Sequence, residues 1–184
     1  QRVALVRACA QSANKPIALL ADLQGPKIRI AGFQNNKVVL SQGQTFVLDA
    51  ELASDQGSQD QVGLDYHDLP NDVQEGSILL LDDGLISLKV VHVEGARVTT
   101  QVIEGGELSN HKGINLKGGG LSAKALTEKD KIDLIMAVQA DCDFLALSFP
   151  RGPKDIQEAR DLVNAAGGKI AIIAKIERTE ALTC

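Results

Sequence analysis

The sequence predicts an α/β fold in which successive strand–helix units of a parallel sheet or barrel are interrupted by a β-rich insertion. Three observations carry this expectation. Apolar runs at 17–22, 144–147 and 170–177 lack the alternation of half-exposed strands, and each follows a helical stretch. Between Gly25-Pro26 and Leu121 the texture changes to short β-rich runs separated by turn residues, and at Thr127 helical texture returns. The order strand, long β insertion, helix, strand, helix, strand describes consecutive βα units with an inserted domain. The expected divisions are 1–25, 26–121 and 122–184.

Residues 2–13 favour helix by propensity, and Asn14-Lys15-Pro16 stops it. Ile17-Ala18-Leu19-Leu20-Ala21-Asp22 then reads as a buried strand ending in a carboxylate. In the insertion, strands are expected at 28–33, 37–40, 44–48, 78–81, 85–93 and 96–104. Val38 and Leu40, or Val98, Thr100 and Val102, alternate as half-exposed antiparallel strands do. Asp82-Asp83-Gly84 between two apolar runs marks a hairpin. This many short strands suggests a small barrel or sandwich. Thr127-Glu128-Lys129-Asp130 resembles a capping box, with Asp in the place of Glu or Gln, ahead of apolar Ile132, Ile135, Met136 and Val138. Phe144-Leu145-Ala146-Leu147 is a second buried strand. Pro153 opens a helix with the stripe Ile156, Ala159, Leu162, Val163, Ala166, and Gly167-Gly168 ends it.

Composition narrows the classes. Apolar residues make up 44% of the chain, but Trp is absent and Phe and Tyr together number five, so the core must be aliphatic. A net charge of −5 argues against a nucleic-acid surface. Residues 27–121 hold 7 Lys/Arg against 13 Asp/Glu, and four of those bases (Lys27, Arg29, Lys112, Lys117) lie near the two ends of the stretch. Such ends could meet beside an anionic ligand. Cys9, Cys142 and Cys184 have no pairing pattern and read as reduced, mostly buried thiols of a cytoplasmic protein. No apolar run approaches the ~18 residues of a membrane span. Because the chain opens inside a helical pattern and stops just after a strand, it is expected to be a piece of a longer protein.

The third apolar run ends in Lys175-Ile176-Glu177. Alternate strand residues share a face, so Lys175 and Glu177 point the same way. Charges at the carboxyl end of a buried parallel strand lie where α/β sheets and barrels place their chemistry. A strand that merely surfaces with an ion pair is the competing reading.

Six segments together carry a resemblance. They are Asp22-Leu23-Gln24-Gly25-Pro26-Lys27-Ile28-Arg29, Asp82-Asp83-Gly84-Leu85-Ile86-Ser87-Leu88 and His111-Lys112-Gly113-Ile114-Asn115, followed by Leu126-Thr127-Glu128-Lys129-Asp130, Ser148-Phe149-Pro150-Arg151 and Ala174-Lys175-Ile176-Glu177-Arg178. In order and spacing they resemble pyruvate kinase over essentially the whole chain. Asp-Gly hairpins and Lys-x-Glu pairs are individually common; six in register are specific.

The resemblance implies a partial (β/α)8 TIM barrel, of which this chain supplies the third, fourth and fifth strands, with a small antiparallel β-barrel lid inserted after the third. It implies magnesium-dependent transfer of a phosphoryl group from phosphoenolpyruvate to ADP, with manganese as a possible substitute. Lys175 corresponds to the lysine that stabilises charge on the phosphoryl group and enolate, and Glu177 to one of two carboxylates holding the metal. Lys112 corresponds to a nucleotide-phosphate contact. Arg29 joins it on the nucleotide side, and Asp83 lies on the lid tip, where a plain turn role competes. Asp22 and Lys27 correspond to the monovalent-cation region. Many members carry Thr-Lys-Gly-Pro-Glu here, whereas this chain reads Leu23-Gln24-Gly25-Pro26-Lys27, which resembles the potassium-independent branch. The Lys27 ammonium would replace the cation, so potassium is not expected to be required. The wording of the Gly118-Gly119-Gly120-Leu121-Ser122 and Ser148–Arg151 segments resembles bacterial members. The triple glycine reads as the hinge out of the lid, since no Gly-Lys-Ser/Thr follows it. The expected partners are phosphoenolpyruvate and ADP/ATP, with neither nucleic acid nor membrane. The parent enzyme is expected to be a cytoplasmic homo-oligomer, a tetramer by family resemblance, and this stretch alone to be inactive.

Two other readings use the same residues. A barrel lyase or aldolase would use Lys175 as a Schiff-base amine, which requires a lowered pKa that the neighbouring Glu177 opposes. A non-catalytic reading makes the lid plus the partial barrel a stretch that binds nucleotide weakly or serves only as a scaffold.

Overall fold

The computed structural model describes residues 2–184. In chain order the elements are α1 (Arg2–Ser12), β1 (Leu20–Asp22), β2 (Lys37–Leu40), β3 (Thr45–Asp49), β4 (Gln61–Gly63), α2 (Leu69–Asp72), β5 (Ile78–Leu81), β6 (Ile86–Glu94), β7 (Arg97–Glu104), β8 (Gly106–Ser109), β9 (Ile114–Leu116), α3 (Glu128–Gln139), β10 (Phe144–Leu147), α4 (Pro153–Ala165) and β11 (Ala171–Ala174). They form two compact units, one of Gln1–Pro26 with Ala123–Cys184 and one of Lys27–Ser122.

The first unit is a three-stranded, wholly parallel sheet in the order β1-β10-β11, with successive strands joined by helical connections as in part of a (β/α)8 barrel. Its core gathers Leu23, Leu126, Leu134, Ala137, Leu145, Leu147, Ala159 and Val163. At about 25 cal/mol per Å2 of apolar surface, fully burying side chains of this size contributes roughly 1.5–3 kcal/mol each for Leu and Val. The capping box forms as the sequence suggests: Thr127 Oγ1 accepts from the Asp130 amide while Asp130 accepts from Thr127 N–H. Asp130 is nevertheless fully buried, because its second oxygen accepts from Gly25 N–H at 3.1 Å.

Three expectations need correction here. The strands at 17–22 and 170–177 shrink to Leu20–Asp22 and Ala171–Ala174, and both are largely exposed. They are the two edges of the sheet, and only central β10 has neighbours on both sides. On α3, Leu134 and Ala137 face the core while Ile132 (61% exposed), Ile135 and Met136 (60% exposed) point outward. Burial of Asp130 fixes that rotation, since residues 130, 134 and 137 share one helix face. The thiols are not buried either: Cys9 and Cys184 are exposed and Cys142 is intermediate.

The second unit contains a six-stranded sheet ordered β4-β3-β7-β6-β5-β9 and a two-stranded pair β2-β8. Fully buried Phe46, Leu48, Leu79, Leu81, Ile86, Leu88, Leu108 and Ile114 form its aliphatic core, with Phe46 as the one aromatic among them. The pairs are antiparallel except β3–β4, which is parallel. Segment 28–33 is extended but makes only isolated bridges at Arg29, Ile30 and Phe33 instead of a regular strand. Strands β4, β8 and β9 hold only one or two apolar residues each, too few to show a period in sequence. The hairpin at Asp82-Asp83-Gly84 joins antiparallel β5 and β6, with all three residues at positive φ (49°, 55° and 92°).

Candidate active site

In the first unit the carboxyl ends of all three parallel strands converge on one amine. The Lys175 side chain leaves just after β11, Asp22 closes β1, and Ser148 follows β10. Lys175 Nζ lies 2.9 Å from Ser148 Oγ, 3.2 and 3.3 Å from the two Asp22 oxygens, and 3.4 Å from Glu177 Oε1. The competing reading of a lone surface pair therefore does not describe the geometry: residues 153 positions apart meet at this amine. Burial, the largest influence, pulls the Lys175 pKa down. The hydrogen bond to Asp22 and the charges of Glu177 and Asp22 together lift it above the ordinary lysine value. Such an amine stays protonated near neutral pH. This opposes Schiff-base chemistry and suits stabilisation of a developing negative charge.

Glu177 is held from its other side. Its Oε2 accepts from the backbone N–H of Phe149 at 3.0 Å, and Phe149 has the left-handed φ of 56° that turns this amide toward the carboxylate. One oxygen is thus fixed by the main chain and the other is shared with an ammonium. Among the described residues no group of three or more His, Cys, Asp and Glu could hold a metal ion. Magnesium keeps several waters and takes one or two carboxylates plus substrate oxygens, so a single pre-oriented carboxylate fits a share of such a site.

Ser148, which has no role in the sequence reading, and Asp130, which appears there only as part of a capping box, complete this arrangement. Ser148, only 1% exposed, donates to the Leu23 carbonyl at 2.6 Å. Asp130 holds the loop after β1 through Gly25. Gly25 itself adopts φ +66°, and a Cβ there would lie 2.9 Å from both Ser148 Cβ and Phe149 Cδ2. The available signal was positional: Ser148 directly follows an apolar strand in a segment already singled out.

In the second unit the two ends of the acidic stretch do meet. Ile30 N–H donates to the Lys112 carbonyl at 2.9 Å, Ile114 N–H to the Ile28 carbonyl at 3.0 Å, and Arg29 bridges Gly113. A Cβ on Gly113 would lie 3.6 Å from Lys27 Cε, so Lys27, Arg29 and Lys112 share one region. Lys117 pairs instead with the start of β5 through its N–H to Ile78. The Arg29 guanidinium donates to the His111 carbonyl at 2.7 Å, and Lys112 Nζ sits 2.8 Å from Asp82 Oδ1. Asp83 is an exposed turn residue, and it is Asp82 that takes the lysine.

A three-stranded parallel sheet with helical connections and a cation–carboxylate cluster at its carboxyl edge, interrupted in sequence by a β unit, is the arrangement of part of a (β/α)8 barrel. Comparison with known proteins is specific. A family model described as "Pyruvate kinase, barrel domain" matches residues 1–184. A pyruvate kinase of Haemophilus influenzae is 54% identical over 179 residues, which is 97% of this chain and 37% of that protein. A "Pyruvate kinase II" of Salmonella typhimurium is 52% identical over 177 residues (96% and 37%), and a pyruvate kinase of Corynebacterium glutamicum is 40% identical over 178 (97% and 37%). This chain belongs to the pyruvate kinase family, and it spans 37% of the length of these relatives.

Proposed function

We propose that this chain forms the phosphoryl-transfer face of a pyruvate kinase, which moves the phosphoryl group of phosphoenolpyruvate to ADP. The observation that carries this reading is the Lys175 ammonium held jointly by Asp22, Ser148 and Glu177 at the carboxyl ends of three parallel strands. In the reaction the bond between phosphorus and the enol oxygen breaks, and one forms to a terminal ADP oxygen. Pyruvate enolate is left to take up a proton at carbon. The protein's task is positioning and charge stabilisation. Lys175 supplies one positive charge where negative charge builds on the phosphoryl and enolate oxygens. Glu177 would hold magnesium, with manganese able to replace it; when bound, the metal neutralises phosphate charge and aligns the reacting oxygens. In the inserted unit, which we read as the lid, Lys112 and Arg29 face nucleotide phosphates, with Asp83 at the tip.

By family correspondence Asp22 and Lys27 are each assigned to the monovalent-cation region, and a lysine at position 27 makes potassium unnecessary. The partners are phosphoenolpyruvate and ADP/ATP. Among the described residues no helix is long and apolar enough to cross a membrane. The full enzyme is a cytoplasmic homo-oligomer, a tetramer by analogy with the family. The 184 residues alone are read as inactive, because Glu177 supplies only a share of a magnesium site.

Coupled assay of pyruvate formation in sodium- and potassium-free buffer tests the reading. The full-length enzyme turns over without potassium, and Lys175→Met lowers kcat by about a hundred- to a thousandfold. Strong stimulation by potassium would refute the role of Lys27. Substantial turnover by the 184 residues alone would refute their inactivity, and an undiminished Lys175→Met enzyme the role of Lys175.

A further inference from the structure

The three acceptors around Lys175 differ in kind. Asp22 and Glu177 are charged and open to water, whereas Ser148 is neutral and 1% exposed. A serine hydroxyl has one proton, and a main-chain carbonyl can only accept. The Leu23 carbonyl at 2.6 Å therefore commits that proton, and Asp22 Oδ1 at 3.5 Å is too far to compete for it. A lone pair of Ser148 is left facing Lys175 Nζ at 2.9 Å. The other end of this link is firmly set. Leu23 N–H donates to the Ala146 carbonyl at 3.0 Å, and Gly25 two residues on is tied to buried Asp130. Ser148 thus connects the amine to the sheet's buried core.

An ammonium has three protons to give, and here each has an acceptor on a different strand end. Phosphoryl oxygens can reach the amine only where an existing acceptor yields. Asp22 and Glu177 can yield, since water, a metal or a substrate oxygen replaces them. Ser148 cannot be replaced from solvent. Because it is uncharged, it also leaves the full positive charge available to the substrate.

We propose that Ser148 is the positioning residue for Lys175, the fixed acceptor that holds Nζ in place while its carboxylate partners exchange for substrate oxygens. This inference rests on the phosphoryl-transfer reading for its catalytic consequence and on geometry alone for the holding of the amine. The two parts are tested separately.

The first arm uses the 184-residue chain and the nitrogen-15 NMR signal of the Lys175 ammonium at one fixed, mildly acidic pH. An ammonium held by acceptors exchanges its protons slowly and gives a resolved signal. Ser148→Ala is expected to speed that exchange by about tenfold, as loss of one hydrogen bond to a charged group implies. Ser148→Cys, which keeps the size and offers only a weak acceptor, should fall between, and it replaces the alanine variant if that variant does not fold. The second arm measures the full-length enzyme. Ser148→Ala should lower kcat by about ten- to a hundredfold while KM for phosphoenolpyruvate stays within about twofold, because the amine keeps its charge and loses its aim. Unchanged ammonium exchange in both variants overturns the positioning role. Faster exchange with unchanged kcat overturns its catalytic consequence. If the unsubstituted full-length enzyme does not turn over phosphoenolpyruvate and ADP, the phosphoryl-transfer reading falls, and the NMR arm still decides whether Ser148 holds the amine.

Discussion

Replacing Asp72 by Asn should bring the alkaline titration of Tyr66 back toward the ordinary tyrosine range. The Tyr66 hydroxyl donates to Asp72 Oδ2 at 2.6 Å and lies 2.9 Å from Ser122 Oγ. Asp72 Oδ2 also accepts from Ser122 N–H at 2.9 Å, so one carboxylate oxygen clasps a loop residue to the last residue of the inserted unit. Burial first, and the hydrogen bond to Asp72 second, push the Tyr66 pKa up from 10.0 to about 12. At ~1.4 kcal/mol per unit, that displacement separates the two protonation states by about 3 kcal/mol. The ring is only partly enclosed, so solvent screening reduces the share that appears as stability to roughly 1–2 kcal/mol. The folded pKa lies above the unfolded one. The contribution is therefore complete below about pH 10 and is lost as pH rises through the folded value near 12. In Asp72→Asn burial remains and a neutral amide oxygen can still accept, but the carboxylate's charge and its charge-assisted bond go, so the midpoint should fall by about one unit. The measurement is clean, because the chain has one tyrosine and no tryptophan and phenolate absorbance reports Tyr66 alone. A wild-type midpoint near 10, or a variant titrating within about 0.3 units of wild type, would refute the coupling.

Two further predictions concern the parallel unit. Gly25→Ala should destabilise it by about 2–4 kcal/mol in urea titration, combining the penalty of left-handed φ with overpacking against Ser148 and Phe149; a loss under ~1 kcal/mol would contradict this. Asp155 is held below the usual carboxylate range chiefly by its hydrogen bonds from Arg151, at 2.8 Å between Arg151 Nη2 and Asp155 Oδ1. Its depressed pKa means the stabilisation is present above about pH 4 and is lost as pH falls through the folded value, so Asp155→Asn should flatten the acid limb of the stability curve.

Much of the fold was legible because its long elements have strong local signals. Helices α3 and α4 announce themselves by a capping box and by Pro and Gly at their ends, and the β5–β6 hairpin by Asp82-Asp83-Gly84. What escaped was set by distant partners. Strands β4, β8 and β9 exist because a neighbour lies alongside, since each carries only one or two apolar residues and so no readable period. The outward turn of Ile132 and Met136 follows from the buried contact of Asp130 with Gly25, 105 residues earlier. A hydrophobic stripe read on α3 alone cannot contain that contact.

The site divides the same way. Lys175 and Glu177 stand out because two opposite charges share a face at the end of an apolar run, and that is a local pattern. That Ser148 and Asp22 meet this lysine follows only from topology. In a parallel sheet every strand runs the same way, so the residue just past each carboxyl end arrives at one edge whatever the sequence distance. Leu20 pairs with Phe144, and Phe144 with Ala171; stepping along that register brings Asp22 level with Ala146 and Leu147 level with Ala174. The next residues out are Ser148 and Lys175, which are the two that touch. Had either neighbouring pair been antiparallel, the amine would have met a strand's amino end and a different set of side chains. The parallel register, fixed by apolar residues in the strands, thus aims a lysine whose own segment specifies only that it is charged.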